Sequence, residues 1–198
     1  MSADEEEGYI KTATHNYVSR KSNVYNPRNV EMKGKSVILP GVYVRGDFGP
    51  VRIGRYCQIG TGSILRPPHA KTSLSTTKKT KLSSSSSPLK FLPLTIGNHT
   101  RIGSNCLVQS ASIGSSVIIG NNVVLSNRCI IKDNVYVSDD TIIAEDTVIP
   151  PFSVVKGCPG KVVGELMESC AVEIVDENEK AYMEFVKSVD GDDGRRKR

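Results

Sequence analysis

The chain has 198 residues, 26 Lys and Arg against 21 Asp and Glu, a formal charge of +5, 38% hydrophobic residues and no Trp. That length suits one domain with tails. No apolar run approaches the ~18 residues of a membrane span, and the acidic start Met1-Ser-Ala-Asp-Glu-Glu-Glu7 lacks the apolar core of a signal peptide.

In chain order, residues 1–22 read as a polar tail whose second half, Tyr9–Ser22, adds an edge strand or covers the first coil. From about Val30 apolar residues recur at a spacing of six. The first frame is open: either Met32, Ile38 and Val44 point inward, or Val30 and Val42 do. After Val44-Arg-Gly-Asp-Phe48 the frame is Ile53, Ile59 and Leu65, with Cys57 and Ser63 four places after the first two. Thirty residues then separate Leu65 from Ile96. They contain Pro67-Pro68, Lys78-Lys79 and the run Ser83–Ser87, so a mobile loop inserted over 67–93 is expected. The segment Arg66–Pro93 carries Arg66, Lys71, Lys78, Lys79, Lys81 and Lys90 and no acid, which leaves the remainder of the chain near −1. A Ser-rich basic stretch of this kind reads as a solvated loop before it reads as a nucleic-acid surface.

Ile96, Ile102 and Val108 resume the pattern, and a five-residue step leads to Ile113. Ile113, Ile119, Leu125, Ile131, Val137, Ile143, Ile149 and Val155 then come without interruption. Small or modest residues stand four places on, among them Thr100, Cys106, Val117, Val123, Cys129, Val135, Thr141, Thr147 and Ser153. Neither an α-helix nor a simple alternating strand has this period. The hexads predict an all-β fold, a left-handed parallel β-helix over 23–160. Three hexads make a triangular turn of ~18 residues, so roughly six to seven coils are expected. A single turn cannot bury its own face, and stacking gives the turns one shared core. Pro150-Pro151 and Gly157-Cys-Pro-Gly160 close the solenoid. Residues 161–189 read as a connector and an amphipathic C-terminal helix over Asp176–Val189, with Ala181, Tyr182, Phe185, Val186 and Val189 on one face. Residues 190–198, ending Arg195-Arg-Lys-Arg198, read as a disordered basic tail.

The five cysteines are odd in number and form no CxxC pair. They argue against a disulfide framework or zinc site and for a reducing, cytoplasmic setting. Cys57, Cys106 and Cys129 occupy the small-residue position of their hexads. Only His15, His69 and His99 are present, and His99 falls at an outward position. An acyltransferase on this architecture needs a histidine base at a cleft between prisms, which this chain is poorly equipped to supply.

Val44-Arg-Gly-Asp47, Val51-Arg-Ile-Gly-Arg55 and Ile102–Gly114 resemble the γ-class carbonic anhydrase lineage. In that lineage three histidines from adjacent subunits hold zinc. The resemblance places Arg66, Ser104 and Gln109 at those three positions, which implies lost metal positions and neither a catalytic site nor a cofactor. Further stretches resemble the dynactin subunit 5 family. They are Tyr9–Thr14, Asn16–Arg20, Ile64-Leu-Arg-Pro-Pro68, Phe91–Gly97, Arg128–Asp133, Pro150–Val154 and Gly157-Cys-Pro-Gly160, and the long Ser/Lys-rich insertion departs from that family's pattern. This resemblance implies a non-catalytic structural subunit of dynactin's pointed-end complex that supports dynein-driven transport by helping cargo or adaptor engagement. The partners implied are dynactin subunit 6 as the sister β-helix, other pointed-end subunits and dynein cargo adaptors, with no nucleic acid and no membrane insertion. The location implied is cytoplasmic and cytoskeleton-associated. Two other readings are a hexapeptide-repeat enzyme, acyltransferase or γ-carbonic-anhydrase-like, and a nucleic-acid or membrane-surface module working through the basic loop.

Overall fold

Apolar side chains at every sixth position face inward only if the backbone turns a corner after each short strand, and that is the path the chain takes. The computed structural model describes residues 8–70 and 90–193. Residues 71–89, most of the stretch read as a mobile loop, lie outside the described residues, as do 1–7 and the basic tail from 194.

The hexads build a parallel β-helix of three sheets. Sheet I contains Tyr17–Ser19, Val37–Ile38, Gln58–Ile59, Arg101–Ile102, Ile118–Ile119, Tyr136–Val137 and Ser153–Lys156. Sheet II runs from Asn23–Tyr25 through Tyr43–Arg45, Ile64–Leu65, Leu107–Val108 and Val124–Leu125 to Ile142–Ile143. Sheet III runs from Val30–Gly34 through Val51–Arg55, Leu94–Ile96, Ser112–Ile113 and Ile130–Ile131 to Val148–Ile149. Sheets II and III have six strands each, so the solenoid has about six turns.

Register stacks the core in three columns. Ile38, Ile59, Ile102, Ile119, Val137 and Val155 succeed one another in sheet I. Val44, Leu65, Val108, Leu125 and Ile143 do so in sheet II. Ile53, Ile96, Ile113, Ile131 and Ile149 do so in sheet III. All are at most 3% exposed, and each such burial is worth about 1.5–3 kcal/mol. In the first turns Met32 pairs with Ile53. Val42, four places after Ile38, is buried as the small residue of that same frame.

Size is only half the reason for the residue four places on. Ser36 Oγ donates to the Gly54 carbonyl at 3.0 Å, Ser63 Oγ to Gly103 at 2.7 Å and Thr100 Oγ1 to Gly114 at 2.9 Å. Cys57 Sγ and Cys106 Sγ make the equivalent bonds to Gly97 and Gly120 at 3.0 and 3.1 Å. Each carbonyl belongs to the next turn, so these hydroxyls and thiols satisfy buried acceptors while tying turns together. The glycines that receive them have no room for more. A Cβ on Gly97 would lie 2.5 Å from the Gly114 backbone.

The corners are turned by residues with positive φ. Gly41, Gly62, Asn105, Asn122 and Asp140 turn sheet I into sheet II, residue types that tolerate this conformation. His15, Lys35, Tyr56, His99, Ser116, Asn134 and Phe152 sit at the turns that lead into sheet I, where bulky side chains are strained. The five-residue step from Val108 to Ile113 falls at the corner between sheets II and III. It shortens that turn by one residue without changing which face is inward, and the buried Ser110 Oγ at this corner has no hydrogen-bond partner among the described residues.

Antiparallel strands close sheet I at both ends. Tyr9–Lys11 pairs with Tyr17–Ser19, and Lys161–Glu165 pairs with Ser153–Lys156, so part of the expected connector is a strand. The C-terminal helix spans Glu168–Asp193. It begins eight residues before Asp176 and continues into the stretch assigned to the tail. Ile174 and Asn178, each 6% exposed, continue the buried line of Tyr182 back by two turns, while Glu168–Glu173 carries no buried side chain.

Candidate functional site

Within one chain, the three positions that the carbonic anhydrase resemblance singles out lie at two different corners. Leu65 pairs with Val108, Arg66 N–H donates to the Val108 carbonyl at 2.9 Å, and Gln109 N–H donates to Leu125 at 2.9 Å. Arg66 and Gln109 therefore lie on consecutive turns where sheet II bends toward sheet III. Ser104 lies at another corner, between sheets I and II, where its N–H donates to Asn121 Oδ1 at 2.9 Å. A guanidinium, an amide and a hydroxyl offer zinc no imidazole, and the guanidinium repels a cation. These residues do not fit the metal. Among the described residues no group of three His, Cys, Asp or Glu is placed to hold an ion.

What surrounds Arg66 is instead an arginine–aromatic corner. Arg66 Cζ stands 5.0 Å from the Phe48 ring centroid, and Arg45 Cζ stands 4.1 Å from the same ring. Phe48 stacks on Phe91 with centroids 4.8 Å apart. Arg45 donates to both Asp47 oxygens at 2.9 and 2.7 Å, and this guanidinium holds the Asp47 carboxyl below the usual carboxylate range. Arg66 pairs with no carboxylate among the described residues. The motif Arg45-Gly-Asp-Phe48 signalled part of this corner, but nothing in the sequence joined Phe91 to it across the insertion.

The same corner holds both ends of the insertion. Ala70 N–H donates to the Lys90 carbonyl and Leu92 N–H to the Pro68 carbonyl, each at 2.7 Å. His69 N–H donates to Asn127 Oδ1 at 2.9 Å, and the His69 carbonyl accepts from Arg128 Nη1 at 3.1 Å. Arg128 also reaches both oxygens of Asp146, at 2.7 and 2.8 Å. The excursion thus leaves from a fixed root.

The other histidines belong to the helix seam. His99, expected at the open surface, is covered: its side chain is 21% exposed, and Nε2 lies 3.4 Å from Glu179. Its ring stacks on Tyr56 with centroids 5.2 Å apart, and its carbonyl accepts from Asn178 Nδ2 at 2.8 Å. Tyr182 Oη donates to the His15 carbonyl at 2.8 Å. Tyr182 and Phe185 then pack on Tyr17, and Phe185 meets Tyr9. The strained corner residues thus seat the C-terminal helix.

The interior thiols are placed to be inert. Burial pushes Cys57 up to about 11 and Cys129 up to about 12, so neither is a thiolate nucleophile near neutral pH. Cys158 is exposed.

The sequence model of the dynactin subunit 5 family matches residues 3–190. A dynactin subunit 5 from Dictyostelium discoideum is 38% identical over 108 residues, which is 54% of this chain and 48% of that protein. The match thus spans about half the length of that relative. Among solved structures, a hexapeptide transferase family protein from Anaplasma phagocytophilum superposes with a TM-score of 0.60 at 13% identity, covering 92% of this chain and 98% of that one. An N-acyltransferase from Bacillus cereus, solved with dTDP-4-amino-4,6-dideoxyglucose and coenzyme A, gives 0.61 at 16% identity, covering 84% and 88%. At these identities the likeness is one of fold. No helix among the described residues is long and apolar enough to cross a membrane.

Proposed function

The chain belongs to the dynactin subunit 5 family, and from that premise we propose that it is a non-catalytic structural subunit of dynactin's pointed-end complex. In this reading it supports dynein-driven transport by helping adaptors or cargo engage. Its neighbours are dynactin subunit 6 and other pointed-end subunits, in the cytoplasm and on the cytoskeleton. The family match over residues 3–190 carries the proposal.

The chemistry of the chain is compatible with it. Arg66, Ser104 and Gln109 are a poor zinc set, and the covered His99 and the root-bound His69 are poorly placed to act as a base in an open cleft. The β-helix is a rigid prism, so a docking partner orders little of it. The strands at each end of sheets II and III, Asn23–Tyr25 and Val30–Gly34 at one end, Ile142–Ile143 and Val148–Ile149 at the other, are edges. A neighbouring β-helix can pair or cover them.

The test is native mass with metal analysis, on the chain alone and with dynactin subunit 6. The expected result is a one-to-one complex without stoichiometric zinc. A homotrimer with near-stoichiometric zinc would overturn the reading in favour of an enzyme.

A further inference from the structure

Each prism face presents one outward side chain per turn, and the three faces differ. On sheet III the column is polar for four turns, Glu31, Arg52, Thr95 and Ser112, with Arg52 3.5 Å from Glu31. On sheet I, Tyr17 and Val37 are 2% and 3% exposed because they lie in one cluster with Tyr182 and Phe185 of the C-terminal helix. On sheet II the outward residues are Tyr43, Ile64, Leu107, Val124 and Ile142, stacked in register. Tyr43, Ile64 and Ile142 are 40%, 37% and 38% exposed, and Leu107 and Val124 are half-buried. Five apolar residues in one line mark a docking surface rather than scattered exposure.

The dimensions and charges of this face select an occupant. Four steps of ~4.8 Å make the column about 19 Å long, the length of about 13 residues of α-helix. Arg66 flanks its early turns as a cation without a carboxylate among the described residues, whereas the charge of Arg45 is met by Asp47. Near Ile142, the last turn presents the exposed Asp140, whereas Glu145 is met by Arg128 at 3.4 Å. A helix of ordinary polarity, acidic in its first turn and basic in its last, complements both ends. The prism already accepts a helix lengthwise, since the C-terminal helix contacts His15, Tyr56 and His99, the corner residues of the first, third and fourth turns.

We propose that the outer face of sheet II seats an amphipathic helix of a protein partner, its acidic start beside Arg66 and its basic end beside Asp140. This rests on the assembly reading only in taking the occupant to be a protein. The isolated full chain suffices for the test, so the proposal can fail while the one-to-one complex still forms.

The probe is a labelled synthetic helix of about 15 residues, with leucine at every third or fourth position, glutamates in the first turn and lysines in the last. Its control is the same helix with the charges exchanged. The first is expected to bind saturably and the control about tenfold more weakly. Ile64→Glu, Ile142→Glu and Arg66→Glu should each weaken binding at least about tenfold, and Thr95→Glu on sheet III should not. Circular dichroism melts identify the variants that remain folded. Absence of saturable binding, or binding indifferent to Ile64→Glu and Ile142→Glu in folded protein, overturns the proposal. So does self-association that these two substitutions abolish, which would assign the face to a second copy.

Discussion

The position four residues after each inward aliphatic is under a double constraint. It must be small enough for a corner and, where it carries a hydroxyl or thiol, it donates to the next turn. Cysteine meets both demands at Cys57, whose thiol reaches the Gly97 carbonyl, and the cost appears only at high pH. Below the ordinary thiol pKa of 9.0 Cys57 is protonated whether folded or unfolded. Between pH 9.0 and about 11 the unfolded chain releases this proton and the folded chain keeps it. Folding stability therefore falls with rising pH across that window, and Cys129 extends the fall to about 12. The expected slope is about 1.4 kcal/mol per pH unit for each thiol. The double variant Cys57→Ser with Cys129→Val, which keeps a donor at one site and matches neighbouring valines at the other, should flatten this part of the profile. Parallel slopes in thermal melts of both proteins between pH 8 and 11 would contradict the assignment.

Among elements, the C-terminal helix is the one whose placement depends on irregular contacts. Its face meets corner residues in the left-handed conformation, and two of its polar side chains bind corner carbonyls. Tyr182→Phe removes the bond to His15 and Asn178→Ala the bond to His99. Each should cost about 1 kcal/mol. The loss belongs to the helix seam: amide exchange should quicken in the helix and leave the slow amides of Ile102 and Ile119 unchanged. Equal acceleration in both would mean that helix and prism open as one unit.

Over the whole molecule, each turn contacts only its neighbours, so local stability depends on position along the axis. Central turns have a neighbour on both sides. The end strands of sheets II and III have one. Native-state exchange should therefore be slowest in the central strands, from Gln58–Ile59 and Ile64–Leu65 to Ile118–Ile119 and Val124–Leu125, and fastest at Asn23–Tyr25 and Val148–Ile149. A sister subunit that binds one end should slow exchange at that end alone. Uniform protection along the axis would show that the solenoid is not a stack of nearest-neighbour units. The sheet II column runs along this gradient and crosses five turns, so an occupant there would clamp the turns together.

The sequence by itself determined the solenoid, because a period of six with a small residue four places on leaves the backbone only one way to bury every aliphatic. It also shows directly that Arg66, Ser104 and Gln109, at the positions the resemblance assigns to metal ligands, include no histidine. The same stretches carried the family, whose motifs lie within the turns. The tertiary structure decided what periodicity does not encode. The helix starts at Glu168, and its first six residues carry no buried side chain, so no apolar stripe marked that start. His99 occupies an outward position in its hexad, yet a helix from eighty residues further on covers it. Phe91 reaches Phe48 only because the insertion returns to its own root. Local pattern fixes which way a side chain points from its own strand; what then lies over it is fixed by packing between distant segments.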